Sequence, residues 1–228
     1  MTDLMHFAMK VPSVPAERRL SLGAVVAARA QCAARPPWTA IFAKAYAMVA
    51  QEFPELRQVY LPFPRPHLYE YQASVATVTV LREFAGEPIL FGCIIEDPAT
   101  LPVTEVAKKI LQTAQAPLDQ IADFRRAKWG GRLPLPLRRL LMWLVLNIAA
   151  QRAKYFGTFA ITVVPGADTH HPLSVWTTVL TYGPLSGDGS VVVRMIIDHR
   201  VLDGGVCARV LARLEEILNG PIVQELTS

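Results

Sequence analysis

Ile197-Asp198-His199-Arg200-Val201-Leu202-Asp203-Gly204-Gly205 is the stretch on which the fold turns. Ahead of it, Ser190 to Asp198 is rich in β-branched and apolar residues and reads as a buried strand. Behind it, Val206, Val210, Leu214, Ile217 and Leu218 recur at helical spacing, which predicts a helix over about 204–218, closed by Asn219-Gly220-Pro221. A strand-to-helix junction holds a side chain rigidly while letting it project into a cleft. By composition, a His-x-x-x-Asp-Gly match is expected about 0.01 times in this chain. His199 is therefore the first candidate for chemistry.

Working outward, Thr158 to Val164 and Ser174 to Tyr182 read as strands, and the Gly-rich segment 183–189 reads as the turn into Ser190. Upstream, Ser74 to Leu81 and Pro88 to Glu96 form an expected hairpin around Ala85-Gly86-Glu87. Trp38 to Phe53 places Ile41, Ala45, Met48, Val49 and Phe53 on one helical face, with Pro37 at its start and Pro54 at its end. Further helices are expected at 20–34, 102–116, 117–128 (broken by Trp129-Gly130-Gly131) and 137–156, with strands at 5–14 and 58–61. The mixed order of helices and strands predicts an α/β fold, a mixed sheet covered by helices, in one domain over 1–228.

The 228 residues include 23 Lys plus Arg against 19 Asp plus Glu, and 52% of them are hydrophobic. Disorder is excluded for the chain as a whole, because so apolar a composition offsets the entropy of ordering. The longest apolar run, Leu140 to Leu146 and Ile148 to Ala150, falls short of the ~20 residues that span a bilayer. Met1 to His6 has neither the basic region nor the apolar core of a signal peptide, so the expected location is cytoplasmic. Cys32, Cys93 and Cys207 offer no CxxC pair and read as small hydrophobes. The charge is uneven: residues 124–167 hold eight basic and no acidic residues, leaving the remainder net −4.

The 197–205 segment, with the helix and Leu218-Asn219-Gly220-Pro221 that follow, resembles the closing part of the catalytic domain of 2-oxo acid dehydrogenase dihydrolipoamide acyltransferases, relatives of chloramphenicol acetyltransferase. Gly157-Thr158-Phe159-Ala160-Ile161-Thr162 resembles that family's Gly-Thr-Phe-Thr-Ile-Ser strand. Weaker likenesses lie in Phe42-Ala43-Lys44-Ala45, Phe53-Pro54-Glu55-Leu56 and the helix over 101–116. The resemblance implies the chloramphenicol acetyltransferase-like fold, assembled as a homotrimer with active sites between subunits, and an acyltransferase without a covalently bound cofactor. An acyl group would pass from a thioester co-substrate, of coenzyme A or an acyl carrier protein, to a thiol, alcohol or amine. An imidazole accepts a proton near neutral pH, so His199 is the expected general base. Thr162 is the expected oxyanion donor. Asp203 is expected to pair with an arginine and fix the junction, with Arg18, Arg19 and Arg29 as candidates, while Gly204 and Gly205 allow close backbone packing.

Each role has a plainer counterpart. A histidine at a strand end is often structural, Thr162 could be an ordinary strand threonine, and Asp198 and Arg200 read as a structural ion pair or an interface group. The alternative function is a catalytically inactive trimeric scaffold. A condensation-type enzyme shares the histidine motif, but it needs roughly twice this length and a paired histidine where Asp198 stands. Asp168-Thr169-His170-His171 carries metal-type side chains without distant partners, so no metal site is expected.

The departures from the family are equally definite. No lipoyl domain precedes the motifs, so a stand-alone catalytic domain is expected. Thr162 and His199 lie closer in sequence than the family has them. Residues 129–156 form an apolar, basic helical insertion, with Arg139, Trp143, Asn147, Gln151 and Lys154 on one polar stripe of a continuous helix. This segment reads as a core or trimer-interface helix, a wall for a long acyl chain, or a membrane-associated helix over 133–156 whose basic flanks meet anionic lipid. The same charge suits coenzyme A phosphates or an acidic acyl carrier protein. A nucleic-acid partner is not expected, because the basic residues flank an apolar helix with few aromatics.

Overall fold

The computed structural model of the chain describes residues 6–84, 86–163 and 175–228. In chain order the elements are β1 (Ser13–Ser21), α1 (Gly23–Gln31), α2 (Trp38–Glu52), β2 (Gln58–Leu61), β3 (His67–Glu70), β4 (Val75–Phe84), β5 (Glu87–Glu96), α3 (Val103–Gln115) and α4 (Ala122–Gly130). They continue with α5 (Leu135–Asn147), α6 (Ala149–Phe156), β6 (Phe159–Ile161), β7 (Thr178–Tyr182), β8 (Ser190–Asp198), α7 (Gly204–Asn219) and α8 (Pro221–Thr227).

Six strands form one mixed sheet in the order β1-β8-β7-β6-β4-β5, with β6 parallel to both β4 and β7 and the other neighbours antiparallel. Helices α1, α2, α3, α7 and α8 cover one face. There Phe42, Tyr46, Phe159, Ile161, Leu180 and Met195 are among the fully buried side chains of a core that α2 and α7 share with the sheet. Tyr46 lies so deep that burial raises its phenol far above the ordinary range, and its hydroxyl donates to Thr178 Oγ1 (2.8 Å). Lys44, also on α2, extends its ammonium to Glu225 of α8 (2.6 Å) and to the Leu101 carbonyl (2.7 Å), so a buried cation is paired and hydrogen-bonded. β2 and β3 make a separate two-stranded ribbon.

The α/β expectation, the α2 helix, the β4–β5 hairpin and the closing strand and helix all have their counterparts here. Several boundaries differ. The strand expected at 5–14 lies at Ser13–Ser21, where all nine residues pair antiparallel with β8. Only Leu20 of β1 is fully buried, so an edge strand with mostly exposed side chains carries little hydropathy signal. Leu20 belongs to that strand, and the helix expected from 20 starts at Gly23. The helix expected at 117–128 begins only at Ala122 and runs through Trp129 to Gly130. The Thr158 strand is shorter than its β-branched run, and the first residue expected of the Ser174 strand lies outside the described residues. The Pro221 that closes α7 also opens α8, since proline suits a first helical turn.

The continuous helix expected over 137–156 is two helices. Ile148 adopts extended backbone (φ −108°, ψ 106°) between α5 and α6, and Asn147 Nδ2 donates back to the Trp143 carbonyl (2.8 Å). The single polar stripe from Arg139 to Lys154 therefore does not exist. The break reorients α6 so that Arg152 turns inward, where its Nε donates to the Val175 carbonyl (2.8 Å). Burial pushes that guanidinium down to about 10.

Candidate active site

The Gly157-Thr158-Phe159 motif docks β6 beside β4. Gly157 has a positive φ of 76°, and a Cβ there would stand 2.6 Å from Thr77 Oγ1 and 2.7 Å from the Val75 carbonyl oxygen, which only glycine avoids. Thr158 Oγ1 accepts from the Val75 amide (3.0 Å), and the Phe159 ring packs against Tyr46 with centroids 4.8 Å apart. These three residues thus seat the strand. Thr162 follows directly, on the sheet face opposite the helices, as does Ala160. Its amide donates to the Leu180 carbonyl (3.1 Å), and Thr79 Oγ1 donates to its hydroxyl (2.9 Å). Thr162 is only 4% exposed. Sequence reading missed Thr79: the alternation Thr77-Val78-Thr79 sets two threonines on one face of β4, and only the register with β6 brings Thr79 to Thr162.

At the opposite end of the sheet, β8 leads into the His199 junction. The His199 amide donates to the Pro12 carbonyl (2.9 Å), tying the turn to the start of β1. The imidazole is exposed, and Nδ1 lies 2.8 Å from the Leu202 carbonyl oxygen. A carbonyl can only accept, so Nδ1 carries a proton, and in the neutral ring the lone pair belongs to Nε2. Asp198 beneath it is 1% exposed and holds Arg200 in a two-pronged pair, Oδ1 to Nε at 2.9 Å and Oδ2 to Nη2 at 2.6 Å. The Arg200 guanidinium also lies 4.4 Å from the Tyr60 ring centroid. Asp198 and Arg200 are thus an ion pair that stiffens the junction.

Asp203 is exposed and caps α7, with Oδ1 accepting from the Val206 amide (2.8 Å). That amide, aided by the charge of Arg209 and His199, holds its carboxyl below the ordinary range. The arginines expected to pair with it are engaged elsewhere: Arg18 with Glu215 (3.3 Å), and Arg29 through the Pro36 carbonyl (2.7 Å) and the Trp38 ring. Arg19 lies near Asp188. The positive charge beside Asp203 is Arg209, from the helix that Asp203 caps. A Cβ on Gly204 would meet open space, and one on Gly205 would come 3.3 Å from Asp203 Oδ1, so close backbone packing does not account for this pair of glycines.

Within one protomer the two expected reactive groups do not meet. Ile161 aligns with Leu180 and Leu180 with Met195, whereas Asp198 lies at the level of Thr177 and Ser13. His199 is thus displaced from the level of Thr162 by about five residues, ~16 Å along the strands, and by two strands, ~10 Å across them. No side chain bridges such a span. Among the described residues no group of His, Cys, Asp and Glu is placed to hold a metal ion, and Asp168, Thr169, His170 and His171 lie outside the described residues. The free Cys93 and Cys207 are buried and Cys32 is half-buried.

No protein-family model and no curated protein matches the chain. Among solved structures it is similar to a probable dihydrolipoamide acetyltransferase from Listeria monocytogenes, with 16% identity, 95% of this chain and 88% of that one covered, and a TM-score of 0.68. It is also similar to the Azotobacter vinelandii dihydrolipoamide acetyltransferase (15%, 98% and 88%, 0.67), a protein in which a serine, a histidine and an asparagine have been investigated for their role in catalysis. Chloramphenicol acetyltransferase matches at 14% identity over 95% of this chain and 94% of that one, with a TM-score of 0.58. The sheet order, the helical cover and these likenesses agree: the chain has the chloramphenicol acetyltransferase-like fold of dihydrolipoamide acyltransferase catalytic cores.

Proposed function

We propose that this protein is an acyltransferase that moves an acyl group from a thioester to a thiol, alcohol or amine, with His199 as general base. The observation that carries the reading is the bond from Nδ1–H to the Leu202 carbonyl, which makes Nε2 the basic nitrogen of the ring at an exposed, stiffened junction. Nε2 takes the acceptor's proton as the acceptor attacks the thioester carbonyl, and returns it to the departing thiolate as the tetrahedral intermediate collapses. The spacing from His199 to Asp203 repeats that of the histidine and asparagine investigated in the Azotobacter enzyme.

Thr162 is the proposed oxyanion donor. Its hydroxyl is held 2.9 Å from Thr79 Oγ1, which fixes its position on the sheet. The separation along the sheet requires the two groups to come from different copies, which supports a homotrimer with sites between subunits. The donor is a coenzyme A or acyl carrier protein thioester acting as co-substrate, which the basic segment 124–167 suits by charge, and the setting is the cytoplasm. Asp203 acts by holding the junction.

The test is acceptor-dependent release of free thiol from a panel of acyl thioesters. His199→Ala should lower turnover by about 10³-fold or more with the oligomer intact. Unchanged turnover in that variant would remove His199 from the mechanism. The alternative is a catalytically inactive trimeric scaffold. That reading would be upheld by the absence of thiol release across chain lengths and acceptors.

A further inference from the structure

The longest apolar run of the chain lies on a helix with an outward stripe of leucines. Along α5 the side chains of Leu137, Leu140, Leu141 and Leu144 fall on one face, and each is exposed, Leu140 by 52%. Ile148 continues the same line at the break, also exposed. Toward the protein the helix turns Leu146, which is buried, and Trp143, which meets the Phe63 ring edge-on at 5.4 Å. A helix whose inner side packs on protein and whose outer side is leucine has its surface polarity reversed relative to a solvated helix.

The surrounding charge distinguishes among the possible covers. The segment 124–167 carries eight basic residues and no acidic one, and Arg125, Lys128, Arg132 and Lys154 are exposed on either side of α5 in the chain. Trp129, 61% exposed, and Tyr155, flanked by Arg126 and Lys154, supply rings with one apolar and one polar end. A contact of this face with copies of itself, about a two-fold or a three-fold axis, would bring such positive segments together. A surface that is apolar beneath and anionic above satisfies both features, and a bilayer of acidic lipid is such a surface. Among the described residues no helix is long and apolar enough to cross a membrane, and α5, at 13 residues, is ~20 Å long and suited to lying flat.

We propose that α5 is a monotopic docking helix that seats the protein on anionic bilayers, with Leu137, Leu140, Leu141, Leu144 and Ile148 entering the acyl region and the flanking cations meeting lipid phosphates. Docking brings the His199 end of the sheet toward the lipid. α6 joins β3's neighbour Tyr71, whose hydroxyl donates to the Ala149 carbonyl (3.0 Å), and β2 carries the Tyr60 ring that holds Arg200.

The experiment is flotation of the full chain with vesicles of phosphatidylcholine alone and of phosphatidylcholine and phosphatidylglycerol in equal parts, at low and high salt. The wild type should float with the mixed vesicles and much less with the neutral ones, and high salt should weaken its binding. Leu140→Glu with Leu144→Glu should lower the bound fraction by about tenfold or more, with circular dichroism and sedimentation behaviour unchanged. Equal flotation of the double variant, or no preference for the anionic vesicles, would overturn the proposal. So would dissociation of an oligomer by the double variant, since α5 would then cover a second copy. Vesicle binding is read independently of thioester turnover, so the docking helix stands or falls apart from the proposed catalysis.

Discussion

One hydrogen bond decides what His199 can do. With Nδ1–H committed to the Leu202 carbonyl, the ring has one free basic nitrogen and one orientation. Asp203 beside it works through the backbone, accepting from Val206 at the start of α7, and its carboxyl titrates below the ordinary range. A carboxylate with a depressed folded value stabilises the protein above the unfolded value and loses that contribution as pH falls through the folded one. Asn caps a helix about as well as Asp but does not titrate. Asp203→Asn should therefore leave the melting temperature near pH 7 almost unchanged while flattening its decline below about pH 4, as followed by thermal melts across pH. An equally steep acid decline in the variant would assign the acid sensitivity to other carboxylates.

At the scale of elements, the connection from α6 into β6 is the least tolerant point. Gly157 combines a left-handed backbone with contact against Thr77 and the Val75 carbonyl. Gly157→Ala must shift β6 relative to β4 and should cost roughly 3 kcal/mol or more. For a domain of this size that corresponds to a fall in melting temperature of about 6–12 °C, measurable by calorimetry. A loss of only 1–2 °C would mean that the β4–β6 seam yields more easily than the packing indicates. The neighbouring break at Ile148 has a different consequence. It turns α6 so that Arg152 can serve the Val175 carbonyl, and it leaves the α5 leucines outward.

For the whole molecule the governing distance is the one along the sheet. Thr162 and His199 lie at opposite ends in one protomer, so a site that uses both is shared between copies. His199→Ala and Thr162→Val should each be nearly inactive alone. Co-expressed in equal amounts, they should regain thioester turnover at about one site in four, because some interfaces then pair an intact histidine with an intact threonine. No recovery in mixed oligomers, with mixing verified by mass, would show that the two residues never serve the same site.

Periodicity and turn chemistry by themselves determined most of the framework. The α2 face, the β4–β5 hairpin and the strand-to-helix passage through His199 were legible because each combines a local preference with a buried apolar stripe. The place of His199 at a strand-to-helix junction was legible from its motif, and so was the pairing of Asp198 with Arg200. Only the tertiary structure decided the rest, and the reason is the same in each case: the deciding partner is remote in sequence. β1 is a strand because β8 lies beside it, although most of its side chains face solvent. Thr162 and Thr79 become a pair through the parallel register of β6 with β4. Asp203 finds a backbone amide where an arginine was expected, and the helix over 137–156 breaks at Ile148 because burying Arg152 against distant carbonyls requires a new direction. A local pattern records which residues prefer to be buried, and packing alone determines which of them are left facing outward, as on α5.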